Sequence, residues 1–535
     1  MAKVLGVEIQ KDAKGKQLIK YFSVPCKPTK VNNGRTRNYP HHDPVRWDEY
    51  RSYCRTDVDT ERAVAKALAR FPVPADEWEL WRLDQQINNR GVGVDREFVR
   101  QAMACDEQFK ARALEEAKEL TGLDNPNSGP QLMSWLADEG IETEDIKKDT
   151  VKDILSTLDE GVTAQVLRLR QELSKTSVKK YRAISRALCA DDRLRGTLLF
   201  YGANRTGRWA GRIFQPQNLP KNLLNDLELA RDIVRRGDFE LLEMLFDSVP
   251  DTLSQLLRTA LIAEAGKRYI VCDFNSIEAR VLAWVAGEQW VLEVFATHGK
   301  IYEATASSMY NVPLEQVTKG SKMRQNGKVA TLACGYGGGV NALIAMGALR
   351  DGIAESELQP IVTAWRAANP MIVKLWRSVE AAAVAAVERG GRRKVRNLIT
   401  YFVSGDWLFC ELPSGRRLSY YKPKLEEGKY GKKQLSHEGV DQKTSKWGRR
   451  RTWGGTLVEN IIQAIARDCL AVSMLAVESG GYPIAIHVHD EIVSEVPDGF
   501  GSVEDMGEIM CQPIPWAPGL PLKAEGYETQ FYKKD

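Results

Sequence analysis

The stretch IAIHVHDEIVSEV, residues Ile484 to Val496, reads as two short strands around a polar turn. IAIHV and EIVSEV are rich in β-branched residues, and His489 and Asp490 fall in or beside the turn between them. Aspartate is common in turns because it bonds its own backbone. Asp490 and Glu491 are nevertheless adjacent carboxylates, which repel unless a cation or solvent relieves them. His487 and His489, two apart on a strand, would face one side. Zinc would need a third or fourth ligand, and the sequence shows no partner cluster nearby. The histidines therefore read as supports of their neighbours or as phosphate contacts.

A second carboxylate stands in a similar place. In YIVCDFNSIEARVLAWVAGE, residues 269–288, Asp273 ends an apolar strand and precedes an amphipathic helix. It reads either as the N-cap of that helix or as a group projecting into a cleft. Two carboxylates from distant segments suit Mg²⁺, a hard ion that takes oxygen ligands. A pair of such ions can stabilise the attacking and leaving oxygens of phosphoryl transfer.

The third constellation is SKMRQNGKVATLACGYGGG, residues 321–339. Arg324, Lys328, Leu332 and Tyr336 are spaced by four and form a slanting face on a helix. Two cations and an aromatic ring on one face suit the triphosphate and base of a nucleotide. The glycines from Gly335 onward end the helix and allow close backbone approach. The spacing is not that of a Walker A loop. Gly327 sits inside the helix, where it costs about 1 kcal/mol relative to alanine.

The chain has 535 residues, enough for several domains, with 43% hydrophobic and 27% charged residues. It shows no apolar run long enough to span a bilayer and no signal-peptide core, so a cytoplasmic protein without a membrane partner is expected. Nine cysteines lie scattered with no C-x-x-C pair, so neither a zinc ribbon nor a disulfide framework is indicated, and reduced, mostly structural thiols are expected. Net charge is +4 but uneven. Arg168 to Arg212 carries twelve Lys/Arg against three Asp/Glu, and Lys429 to Thr452 eight against two. Two such runs point to a polyanionic partner.

The three constellations occur in one order, and together they resemble the family A DNA polymerases of the bacterial DNA polymerase I type. DFNSIEARVLAWVAGE is similar to the family's motif A, RQNGKVATLACGYGG to motif B, and HVHDEIVSE to motif C. TGRWAGRIFQPQNLP, residues 206–220, resembles the segment upstream of motif A, and GYGGG and LVENIIQAIARD look more like phage members. The resemblance implies an α+β, right-hand architecture, with an antiparallel palm sheet and helical fingers and thumb. It implies a template-directed DNA polymerase acting on primer–template DNA and dNTPs with two Mg²⁺ ions, for which Mn²⁺ can substitute. A role in phage replication, in the host cytoplasm, would follow.

By the same resemblance, Asp273, Asp490 and the backbone carbonyl of Phe274 would hold the metals. Arg324 and Lys328 would hold the triphosphate, with Lys328 donating a proton to pyrophosphate. Leu332 and Tyr336 would border the nucleotide, and Glu278 would be the steric gate against a 2′-hydroxyl. Arg208, Asn218, Gln463 and His489 would line the primer–template duplex, with Glu491 and Arg280 close by. Leu332 replaces the aromatic residue of many members, and Ser276 replaces a glutamine.

The expected domains are a C-terminal remnant of a 3′–5′ exonuclease (1–72), an N-terminal polymerase region with the thumb (73–190), a first palm part (191–287), fingers (288–400) and a second palm part (401–535). YCRTD, with Tyr53 and Asp57 four apart, resembles the last exonuclease motif, but residues 1–52 contain no D-x-E. Proofreading by the chain alone is therefore not expected. A separately encoded exonuclease fragment or a processivity factor would be a further partner. The readings opposed to a polymerase are a catalytically silent DNA-binding subunit on the same fold and a single-subunit RNA polymerase. Glu278 argues against the second.

Overall fold

The computed structural model describes residues 6–7, 15–69, 71–175, 178–428, 431, 433–441, 444 and 446–534. Most of the N-terminal stretch read for a signal peptide lies outside them, as do Lys429, Lys432 and Lys443 of the second basic run. The chain divides into two compact units, Met1–Trp81 and Arg82–Asp535.

In the first unit, α1 (Pro44–Leu68) begins at Asp43, whose side chain accepts from the Arg46 N–H, and has Pro44 in its first turn. The Tyr53 hydroxyl donates to Asp57 at 2.9 Å. Their spacing of four places them one helical turn apart.

The second unit is built around two antiparallel sheets. β1 (Lys267–Phe274) is the apolar run before Asn275, and Tyr269 to Cys272 are buried on both faces. α2 (Ile277–Ala286) follows and ends at Gly287, whose φ of 68° closes the helix with N–H bonds back to Ala283 and Trp284. Then come α3 (Ile301–Tyr310), α4 (Lys322–Cys334) and α5 (Pro370–Arg389). A six-stranded meander comprises β2 (Arg393–Val395), β3 (Ile399–Ser404), β4 (Trp407–Glu411), β5 (Arg417–Glu427), β6 (Lys433–Val440) and β7 (Trp447–Arg451). The boundary expected at residue 400 falls inside β3.

α6 (Gly454–Ser479) passes through the core. It is long and apolar enough to cross a membrane, but 72% of its most apolar window is buried in this fold. β8 (Ile484–Val488), β9 (Glu491–Pro497) and β10 (Ala524–Thr529) complete a sheet of order β8-β9-β1-β10. The centre of that sheet is the β1–β9 pair, with Asp273 opposite Glu491. Strands so fully buried read as continuous apolar runs, which is why KRYIVCDF and EIVSEV were legible.

Gly327 departs from the propensity reading. A Cβ there would sit 2.3 Å from the carbonyl oxygen of Tyr302 and 3.0 Å from Ala306, so α3 and α4 pack through this position. The glycine permits the close approach, and that gain exceeds the helix-propensity cost of about 1 kcal/mol. Gly327→Ala is expected to lower Tm through overpacking worth about 1–3 kcal/mol. A raised Tm in thermal denaturation would contradict the packing account.

Candidate active site

Strand pairing sets the geometry. The Phe274 N–H donates to the Asp490 carbonyl at 3.2 Å, and Asp273 faces Glu491 across the ladder. Asp273 and Asp490 thereby share one end of the sheet. Both chain turns beside them pass through left-handed backbone, Ser276 at φ 52° and His489 at φ 58°. Ser276 is the N-cap of α2, so Asp273 belongs to the strand and does not cap the helix. The β8–β9 hairpin turns as expected, with Asp490 in the turn and Glu491 starting the next strand.

The carboxylates are in unequal surroundings. Glu491 is buried, accepts a 2.5 Å hydrogen bond from the Tyr532 hydroxyl, and lies 3.4 Å from the Lys534 ammonium. Lys534 Nζ also lies 3.2 Å from Asp273 Oδ2. Asp273 Oδ1 is buried and receives no hydrogen bond among the described residues. Burial, then the charge of Asp273, pushes the Asp490 carboxyl up to about 7. Burial also raises Glu491. Burial works against the charged form of Lys534, but Glu491, Asp273 and Asp490 outweigh it and raise its pKa.

An unsatisfied buried carboxylate oxygen beside a carboxyl with a strongly raised pKa fits a cation site. Among the described residues no group of three or more His, Cys, Asp and Glu is arranged to hold a metal. Two carboxylates and a backbone carbonyl suit an ion that keeps waters and takes substrate oxygens as further ligands. The histidines take separate places. His487 is buried in β8 edge-on to Trp209, with ring centroids 4.7 Å apart, and burial lowers its pKa to about 3. Its ring packs on an aromatic neighbour, and among the described residues no set of His, Cys, Asp and Glu joins it as zinc ligands. His489 is exposed in the turn, with Nε2 3.3 Å from the Gln217 carbonyl, so strand alternation does not set its direction.

Two cavities meet at Ile277, Glu278 and Asp490. One, of about 290 Å³, has Leu332 of α4 and Gly335 and Tyr336 just past its end on its wall. The other, of about 450 Å³, is lined by Arg208, Asn218, His487 and His489 and by Ala466 and Arg467 of α6. Glu278 bridges them: it is ion-paired with Arg208 and accepts from the Tyr336 hydroxyl at 2.5 Å. Burial, then Glu278, keeps the Tyr336 phenol protonated well past its ordinary range.

Not every expected residue reaches these walls. Arg324 lies toward the start of α4 and pairs with Glu303 at 2.6 Å, and Lys328 is half-buried one turn on. Neither lines the smaller cavity. Gln463 is one turn before Ala466 and lines neither cavity, its amide directed to Glu459 at 3.4 Å. Arg280 is buried, donates to the carbonyls of Asn275 and Pro521 at 2.6 and 3.0 Å, and holds the loop between β1 and α2. Lys534 was missed altogether. Its segment, YKKD, reads locally as a solvated charged tail, and only the fold seats it against Asp273.

The raised Asp490 carboxyl predicts a pH dependence. A carboxyl whose folded pKa exceeds its unfolded value holds its proton more tightly in the folded state. It favours folding at low pH, and this contribution is lost as pH rises from about 4 to about 7. With divalent metal removed by a chelator, wild-type Tm is expected to fall across that window relative to Asp490→Asn. Parallel Tm profiles for the two proteins would contradict the assignment.

Comparisons with known proteins give one answer. The profile of DNA polymerase family A matches residues 98–524. The chain is 52% identical over 536 aligned residues to the DNA polymerase of Bacillus phage SP02, covering all of this chain and 83% of that protein. It is 26% identical to DNA polymerase I of Pseudomonas aeruginosa over 48% of this chain and 23% of that protein. Among solved structures, it is similar in fold to the POL domain of Pol1 from M. smegmatis in complex with DNA primer-template and dNTP, at TM-score 0.60 and 18% identity, covering 99% of this chain and 80% of that one. With most of its length matched by one family, and Asp273 and Asp490 drawn together by that family's α+β polymerase fold, the chain belongs to DNA polymerase family A.

Proposed function

We propose that the chain is a template-directed DNA polymerase that extends a primer 3′-hydroxyl with dNTPs, in phage replication. The observation that carries this reading is Asp490 on the wall shared by two cavities, with Asp273 close enough behind it for their charges to interact. One cavity would take the incoming nucleotide and the other the primer end. Asp273, Asp490 and the Phe274 carbonyl would hold two Mg²⁺ ions, or Mn²⁺ in their place. When bound, such ions neutralise charge on the attacking and leaving oxygens of phosphoryl transfer.

The chain's own residues account for the rest. Leu332 of α4 and Tyr336 in the turn after it shape the nucleotide cavity. Glu278, held from both sides by Tyr336 and Arg208, stands where a 2′-hydroxyl would collide. Arg324 and Lys328 lie along the same helix, at positions from which long side chains reach a triphosphate tail; Arg324 would exchange Glu303 for phosphate. Lys328 would give a proton to the leaving pyrophosphate. Asn218 and His489 line the primer cavity, and Gln463 extends the same helix face. Lys534 is a permanent counter-ion for Glu491 and Asp273.

The domain reading follows these roles: palm in 191–287 and 401–535, fingers in 288–400 and the thumb in 73–190. The silent-subunit alternative fits the site less well, because a binding protein has no need of two adjacent, mutually repelling carboxylates at a cavity wall. For the unit Met1–Trp81, the Tyr53–Asp57 pair on α1 supports kinship with an exonuclease motif. Residues 1–52 hold no D-x-E for it to work with, so removal of a mismatched 3′ nucleotide by the chain alone is not expected.

Primer extension tests the reading. Asp490→Asn is expected to slow dNMP incorporation by on the order of a thousandfold or more, several kcal/mol of lost transition-state stabilisation. Extension at the wild-type rate would refute the metal assignment. Glu278→Ala is expected to raise the ratio of rNMP to dNMP incorporation by about tenfold or more, the effect of relieving one steric clash. An unchanged ratio would refute the gate.

A further inference from the structure

The six-stranded sheet carries a feature that the catalytic reading does not use. Its inner face, with Tyr401, Leu408, Leu418 and Tyr420, is buried. The outer face of such a sheet is ordinarily polar and solvated. Here it is aromatic. Phe402 lies opposite Phe409, and Trp407 opposite Tyr421, with ring centroids 5.5 and 4.7 Å apart. Trp407 lies 6.4 Å from Phe409, and Tyr421 lies 6.2 Å from Trp447, which is 60% exposed. A continuous row of rings therefore crosses from β3 to β7.

Cations are interleaved with the rings. The Arg417 guanidinium lies 5.3 Å from the Phe402 ring centroid, and the Lys422 ammonium 5.3 Å from that of Tyr421. Glu411 and Glu438 pair with Arg417 and Arg449 at 3.0 and 3.3 Å. Lys394, Lys422 and Lys424 are exposed beside them. Ion pairs that solvent reaches, as these do in part, are weak and can exchange for phosphate. The second basic run noted in the sequence thus supplies one edge of this face.

Rings stack on bases only where the base faces are open. Duplex DNA hides those faces, whereas a single strand offers one per nucleotide and a phosphate for each cation. The sheet is also tied to the cleft. Arg416, just before β5, pairs with Asp468 of α6 at 2.7 Å, and its neighbour Arg467 lines the larger cavity. The Arg205 guanidinium lies 4.4 Å from the Tyr420 ring centroid on the inner face.

We propose that the outer face of this sheet is a stacking platform for single-stranded DNA, namely the unpaired template strand beyond the primer terminus. The identity of the strand rests on the polymerase reading. The chemistry of the face, aromatic rings among cations, does not.

The test compares one duplex with two template 5′ overhangs by fluorescence anisotropy. The short overhang has roughly 2 nucleotides, below a single-strand site of about 4–16, and the long one roughly 20. The full chain is expected to bind the long-overhang DNA about tenfold or more tightly, the order of at least one stacked base, with the gain shrinking as salt rises. A triple variant, Trp407→Ala, Tyr421→Ala and Trp447→Ala, should bring the two affinities together. Its ring-keeping counterpart, with Phe at all three positions, should restore the gain and so exclude misfolding as the cause.

Equal wild-type affinity for both DNAs would overturn the proposal and leave the rings as a protein-docking face. A gain that survives the alanine variant, or one that phenylalanine does not restore, would also overturn it. Primer extension by the wild-type chain on the same DNAs separates the two readings. Extension without an overhang-dependent gain sinks the platform alone. A gain without extension sinks the choice of template strand and the polymerase reading, and keeps the single-strand site.

Discussion

The pairing of β1 with β9 is the constraint on which the rest of the site depends. It sets Asp273 opposite Glu491 and brings the Asp490 carbonyl to the Phe274 N–H. Side chains alternate across a strand, so a one-residue slip would turn Asp273 away and bury its neighbours' wrong faces. The buried apolar run from Tyr269 to Cys272 resists that slip. Register at the active site is thus held by core packing several residues away. The two left-handed residues, Ser276 and His489, then carry the chain off the sheet within a few positions of each carboxylate.

Gathering carboxylates at one sheet end creates an electrostatic problem that the fold relieves unevenly. Glu491 is the most buried of the three and has the most complete set of partners, Tyr532 and Lys534. Asp490 and Asp273 are left with less, an uncompensated arrangement that suits groups meant to receive a cation. Lys534 comes from the last turns of the chain, where the Asn222 side chain and backbone tie its own backbone in place. The tail is therefore part of the site's charge balance. Glu278 plays the corresponding role for the cavities, since its two oxygens are shared between Tyr336 on one side and Arg208 on the other.

Much of the fold was legible because it is locally redundant. The strand KRYIVCDF, the helix ending at Gly287, the hairpin turning after Asp490 and the long apolar helix α6 each repeat one signal over many residues. Asp273 and Asp490 were legible for the same reason, since each sits where such a signal stops. Parts of the six-stranded sheet were not legible, because β2 is three residues long and β7 is largely cationic. The cost assigned to Gly327 had the wrong consequence for the fold: propensity measures a lone helix, whereas Tyr302 of a neighbouring helix decides this position. Gln463 and Arg280 were placed by motif. The structure sets one just outside the cavity walls, bonded to Glu459, and buries the other as a loop clamp.

What the amino-acid order determined alone was the set of elements and the chemical type of the site: carboxylates at strand ends, a cationic helix face, and glycines where chain and substrate would approach. Those follow from periodicity and side-chain chemistry, which are local. Tertiary structure decided which groups share a space. It selected Glu491 as a buried structural acid and Asp490 as the perturbed one, recruited Lys534 from the tail, made Glu278 a bridge, and left the row from Phe402 to Trp447 partly open to solvent. Each depends on desolvation and on contacts between residues far apart in the chain, and neither quantity is written in any single stretch of sequence.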